Sequence, residues 1–259
     1  MKAKGIDVRT EDLDDPNSLK SAFAGGEGVL LISTPDVENV QIHLENGIRE
    51  AKEAGVKHLV VTGVVTQPAN QKPFHTKLLA VEETLIQKKT TEITYSVAGF
   101  HLWIESYLEW LKLQGVFATG ILYTTSAAVK AAYGTRADFG KACAAALARN
   151  STSNAKFDIT GPEAIDCRQV AAILNKELPL AKPIEVKEVS DEQLFKLLAN
   201  PKVPEYITRF MVAMDSAITD GNYSLAEKGF YELTGSQPES FEAFVARNNV
   251  IYEHPKKND

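Results

Sequence analysis

The chain has 259 residues, 44% hydrophobic and 24% charged, with a formal net charge of −6. That length carries a full core, as one large α/β domain or a domain plus a smaller lobe, and the acidic balance argues against a nucleic-acid surface. No apolar run approaches a membrane span and no apolar leader opens the sequence, so a cytoplasmic protein with no membrane partner is expected.

Gly5-Ile6-Asp7-Val8-Arg9 reads as a short strand, and 11–16 as its end followed by a helix start. Gly25, Gly26 and Gly28 are the only clustered glycines. They fall between a helix and a strand, where a turn is the fitting reading and where they cannot open a helix onto a pyrophosphate. Val29-Leu30-Leu31-Ile32-Ser33 is almost wholly apolar, as in a strand buried on both faces of a parallel sheet. A helix is predicted over 36–54, because Val37, Val40, Leu44, Ile48 and Ala51 share one stripe and Gly55 sits where a C-terminus wants it. The next strand is 57–62. A helix over 74–88 puts Phe74, Leu78, Val81 and Leu85 on one side, and 93–97 returns as a strand. Such alternation implies βαβ crossovers and a parallel sheet.

The later part changes rhythm. Thr135 with Asp138 reads as a capping-box-like start to a helix that stacks Phe139, Cys143 and Leu147. Asp166 with Gln169, Ser190 with Gln193, and Ser236 with Glu239 repeat the device. Pro183, Pro201, Pro204 and Pro238 separate several short helices, and the tail from His254 is expected to fray. The predicted fold class is α/β: a truncated Rossmann-like parallel sheet over 1–150, and a smaller, mostly helical lobe over 151–259 that would carry a substrate or partner surface.

A Rossmann domain presents a strand, a Gly-x-Gly-x-x-Gly turn and a helix ahead of the point where these residues begin. Met1 to Gly5 reads as the end of a helix, so truncation is expected. The only Tyr-x-x-x-Lys spacing, in which the lysine lowers the phenol pKa for proton donation, is Tyr252 with Lys256; Pro255 lies between them and the match reads as chance. Pro73 stands four residues before Lys77, so no tyrosine acid is available there. Asp138 reads as a first-turn carboxylate complementing a helix N-terminus rather than as an ion-pair partner of Arg136. Cys143 and Cys167 have neither CxxC nor metal spacing and read as buried thiols in a reducing compartment. No metal cluster, nucleophile elbow or P-loop is found.

Asp12-Leu13-Asp14-Asp15-Pro16-Asn17-Ser18-Leu19, Arg136-Ala137-Asp138-Phe139-Gly140, Phe157-Asp158-Ile159-Thr160-Gly161-Pro162-Glu163-Ala164 and Glu232-Leu233-Thr234-Gly235-Ser236-Gln237-Pro238, taken in order, resemble the NmrA-like family of atypical short-chain dehydrogenases/reductases. The resemblance runs from about Gly5 to about Phe244. That family includes NADP-sensing regulators and NAD(P)H-dependent quinone reductases.

The resemblance implies NADP or NAD as cofactor. It assigns adenine contact to Asp12 and Leu13, a place near the riboses to Ser33-Thr34-Pro35, a ribose-binding role to Lys77, and the nicotinamide-facing loop to Ala98-Gly99-Phe100-His101, all consistent with ligand binding outside the carboxyl ends of strands. Gly63 stands where the family often has serine, leaving Thr62 as the nearest hydroxyl, and Val97-Ala98 replaces an Arg-Pro pair. His101 is the weak catalytic candidate, for proton transfer; His75 beside Lys77 reads as donor or surface residue, and Phe100 as ring-stacking or core. The C-terminal lobe is expected to form a cleft against the strand ends near Thr34, Thr62 and Gly99.

Backbone N–H groups of a glycine turn normally hold the pyrophosphate. Their absence from these residues leads to the expectation of a redox-sensing or regulatory protein with weakened dinucleotide binding and a protein partner. The alternative is an NAD(P)H-dependent oxidoreductase of quinone-like small molecules whose N-terminal segment lies outside this sequence. In the family's strand order, which resembles 3-2-1-4-5-6, the strand at Val29 loses a neighbour. Its edge is expected to stay open, with Ile6–Val8 poorly paired and dimerisation through the edge a consequence.

Overall fold

A computed structural model describes residues 4–34, 36, 38–65, 73–87, 93–149, 154–199 and 204–249. They belong to two compact units, one made of 1–66, 72–100 and 140–158, the other of 67–71, 101–139 and 159–259. In chain order the elements are α1 (Pro16–Phe23), β1 (Gly28–Leu31), α2 (Val40–Glu53), β2 (His58–Val64), α3 (Pro73–Gln87) and β3 (Thr94–Phe100). Next come β4 (Leu102–Trp103), α4 (Ile104–Leu113), α5 (Val116–Thr119), β5 (Ile121–Thr124), β6 (Ala131–Gly134), α6 (Arg136–Leu147) and β7 (Ala155–Ile159). The chain continues through β8 (Ala164–Ile165), α7 (Cys167–Glu177), β9 (Glu185–Glu188), α8 (Asp191–Leu198), α9 (Glu205–Thr219), α10 (Gly229–Thr234) and α11 (Phe241–Arg247).

The first unit is built on a sheet ordered β1-β2-β3-β7. β1 runs parallel to β2 with Val29 opposite Leu59, and β2 parallel to β3 with Gly63 opposite Gly99. All seven residues of β2 are buried, as its central place demands. Val40, Leu44, Ile48 and Ala51 of α2 are buried against this sheet's core, which Leu78, Val81 and Leu85 of α3 join. α2 starts at Val40, later than the periodicity suggests, because Asp36 accepts the Glu38 and Asn39 N–H groups in a turn ahead of it; Gly55, with φ 78°, ends it. Gly25, with φ 79°, turns the chain from α1 into β1.

Two expectations for this unit need correction. β1 is an edge strand, so Val29 and Leu30 are only half-buried; an apolar run does not by itself report two covered faces. Residues 6–10 form no strand. Instead the Arg9 guanidinium donates to the carbonyls of Ser21, Ala22 and Ala24, satisfying acceptors that the end of α1 leaves exposed. Among the described residues β1 is thus open along one edge, and no ladder joins it to 6–9.

The second unit holds a three-stranded sheet, β4-β6-β8, and a parallel pair of β5 with β9. Its core includes Leu108, Leu111, Val170 and Leu174, with the Tyr107 ring 4.8 Å from Tyr133, and Tyr133 5.5 Å from Phe241. Buried Asp215 of α9 accepts from the hydroxyls of Thr124 (2.8 Å), Thr125 (2.8 Å) and Ser126 (3.2 Å), tying α9 to the end of β5. Asp166 with Gln169 and Ser190 with Gln193 make reciprocal capping boxes. Ser236 does not: α11 begins at Phe241, with Ser240 Oγ accepting the Ala243 N–H. Gln237 precedes Pro238, which disfavours helical backbone there; Ser236 N–H turns to Thr234 Oγ1 and Glu239 to Arg247. Cys143 and Cys167 are free and buried, and burial pushes the Cys143 thiol up to about 11. Among the described residues no helix is long and apolar enough to cross a membrane, and no cluster of His, Cys, Asp and Glu could hold a metal ion.

Candidate functional site

The ladder between β1 and β2 stops at Leu31 opposite Val61. Just beyond it Thr62 Oγ1 accepts the Ser33 N–H at 2.8 Å and lies 3.1 Å from Ser33 Oγ. Thr62 is only 2% exposed, and its hydroxyl holds the chain two residues beyond the end of β1. Thr34, half-buried, places Oγ1 2.9 Å from His43 Nδ1, and His43 Nε2 lies 3.0 Å from Asp14 Oδ1. Asn46, one helical turn on from His43, donates to the Leu13 carbonyl at 2.8 Å. The inner face of α2 therefore holds both the turn carrying Leu13 and Asp14 and the end of β1. Asp12 is exposed in that turn, its carboxylate accepting the Asp14 N–H. Lys77 Nζ donates to the Glu38 carbonyl at 2.8 Å, anchoring the segment that follows β1.

At the ends of β2 and β3 two glycines face each other, and both are needed. A Cβ on Gly63 would overlap Glu82 Oε1, and one on Gly99 would come within 2.6 Å of Asp158 Oδ1. Glu82, buried on α3, accepts the Val64 N–H at 2.8 Å and the Lys156 ammonium at 2.6 Å. Lys156 Nζ also donates to the Val64 carbonyl at 2.8 Å and lies 3.7 Å from Asp158. Both backbone polar groups of Val64 at the strand end are thus held by a largely buried ion pair. Burial raises the Glu82 pKa, and the neighbouring Lys156 charge works against that rise.

Phe100 is half-buried and its carbonyl accepts the Val65 N–H. In the second unit His101 is buried, its ring edge-on to Tyr223 at 5.5 Å. Arg136 donates to Ser106 Oγ and stacks over Trp103, while Asp138 accepts the Glu239 N–H at 2.7 Å. Pro35, Val37, Pro201, the Phe74 and His75 side chains, Tyr252, Lys256 and the tail from His254 lie outside the described residues.

The structure brings Thr34 and Thr62 to the ends of neighbouring strands and sets Gly99 opposite Gly63. Sequence reasoning missed His43, Asp14, Glu82 and Lys156. A signal existed for Glu82: it lies four residues after Leu78, on the same helical face, and a carboxylate there must find a partner. Gly63, alone within an apolar strand, likewise marks a close approach.

A family model described as the NmrA-like family matches residues 1–244. The chain is 25% identical to quinone oxidoreductase 2 of Escherichia coli over 91% of its own length and 80% of that protein's. It is 24% identical to the NAD(P)H azoreductase of Xenophilus azovorans, covering 82% of this chain and 71% of that one. The fold is similar to the crystal structure of the Citrobacter sp. triphenylmethane reductase complexed with NADP(H), with a TM-score of 0.83 and 25% identity over 96% of this chain and 85% of the other. These likenesses overturn the expectation of a regulatory protein with weakened dinucleotide binding, because these proteins are reductases and one was solved with its dinucleotide. The chain belongs to the NmrA-like family.

Proposed function

We propose that this chain is an NAD(P)H-dependent oxidoreductase of quinone-like small molecules, with the dinucleotide outside the carboxyl ends of β1, β2 and β3. The observation that carries the reading is the likeness, over 96% of the chain, to a reductase solved with NADP(H). The residues at the strand ends fit the ribose and nicotinamide half of such a cofactor. Ser33 and Thr34 offer half-buried hydroxyls beyond an apolar strand, and Lys77 holds the following segment by the Glu38 carbonyl. Gly99 keeps side-chain bulk away from the end of β3. No Gly-x-Gly-x-x-Gly run occurs in the 259 residues, so the fit concerns that half.

When bound, the reduced nicotinamide supplies a hydride. This chain's residues orient it and keep the strand ends rigid: Thr62 fixes Ser33, and the Glu82–Lys156 pair fixes Val64. A quinone that accepts a hydride becomes a hydroquinone monoanion, whose single phenolate oxygen takes one proton from water, so the reaction needs no dedicated tyrosine acid. NADPH consumption with a panel of benzoquinones and naphthoquinones tests the proposal. Saturable, quinone-dependent oxidation is expected; consumption no faster than without protein would overturn it.

A further inference from the structure

Asp14, His43 and Thr34 form one continuous hydrogen-bonded row in the first unit, with contacts of 3.0 and 2.9 Å. His43 is 7% exposed on the inner face of α2. The donors and acceptors along the row follow from the chemistry of each group. An ionised carboxylate only accepts, so Nε2 of a neutral His43 carries the proton toward Asp14. Nδ1 is then an acceptor, and the Thr34 hydroxyl must donate to it. Its own hydrogen is thereby committed, and Thr34 Oγ1 faces a ligand with lone pairs alone. Asp36, a second carboxylate near His43, is engaged by the Asn39 side chain and by the N–H groups of Glu38 and Asn39.

We propose that Asp14 and His43 are positioning residues that set Thr34 Oγ1 as a hydrogen-bond acceptor for a ribose hydroxyl of the dinucleotide; the inference rests on the cofactor reading above. The row explains why a histidine is buried at this helix position, and why a turn far from β1 in sequence contributes a carboxylate to its end. It makes the sugar, not only the nicotinamide ring, a recognised part of the donor.

The test compares NADPH with 1-benzyl-1,4-dihydronicotinamide, a hydride donor with the same ring and no ribose, in the parent chain and in Thr34→Val, Thr34→Ser, His43→Phe and the double variant Thr34→Val/His43→Phe. KM for NADPH should rise about tenfold in Thr34→Val and in His43→Phe, with no further rise in the double variant. The rise should be several-fold larger for NADPH than for the ribose-free donor, and Thr34→Ser should restore most of the loss. Additive effects in the double variant, or equal rises with both donors, overturn the row while leaving the cofactor reading intact. A parent chain that oxidises the ribose-free donor without saturating in NADPH overturns both. Imidazole nitrogen NMR of the parent chain checks the row without any variant: the neutral His43 ring should be the Nε2–H tautomer, and the Nδ1–H tautomer overturns the proposal.

Discussion

The carboxylate of Glu82 stands in the space that a side chain on Gly63 would occupy. This pair gives a physical reason for glycine at that strand position. Glu82 cannot retreat, because the Val64 N–H and the Lys156 ammonium both bind it. Gly63→Ala should therefore cost about 1–3 kcal/mol through forced repacking. Urea unfolding checks this, and a variant as stable as the parent contradicts it.

The ion pair itself makes a second prediction. Glu82→Gln keeps an acceptor for the Val64 N–H but removes the carboxylate 2.6 Å from the Lys156 ammonium. Breaking a fully buried pair costs ~3–5 kcal/mol. The side chains of Lys156 and Asp158 remain 21% and 25% exposed, so a loss of about 2 kcal/mol is expected. Lys156→Met in the same background should recover part of it, since the buried ammonium is removed and the Asp158 carboxylate that loses it is partly exposed to water. A double-mutant cycle measures the coupling; strictly additive losses contradict the pairing.

Much of this architecture was legible locally. The stripe Val40, Leu44, Ile48, Ala51 and the boxes at Asp166 and Ser190 depend on residues within a turn or two of each other, and the structure has them. What was not legible depends on distant partners. Lys156 lies 74 residues from Glu82, and His43 lies 29 from Asp14, so no periodicity could pair them. The half-exposure of β1 was hidden for the same reason: an edge is a property of the sheet, not of the strand. The expectation of a weakened regulatory binder rested on one local feature, whereas the likeness to reductases is spread over more than nine-tenths of the chain.

His58 supplies a pH-dependent prediction. It is buried in β2, with Nδ1 2.7 Å from Thr94 Oγ1 and Nε2 3.1 Å from the Ala146 carbonyl. Burial lowers its pKa below the ordinary 6.5, and the Ala146 carbonyl offsets only part of that. Below about 6.5 the unfolded chain binds a proton that the folded one refuses, so stability is intact above that pH and falls as pH drops through it. His58→Gln should flatten the fall in unfolding free energy between about pH 7 and 5. Parallel slopes for parent and variant contradict this.

NADPH titration of the isotope-labelled chain, followed by amide NMR, locates the dinucleotide proposed for the carboxyl ends of β1, β2 and β3. Saturable shifts are predicted at Ser33, Thr34, Thr62 and Gly99, with the amides at the opposite strand ends, Gly28, His58 and Thr94, unmoved. Saturable shifts centred on those opposite ends, or no shift at all at high NADPH, would rule that placement out.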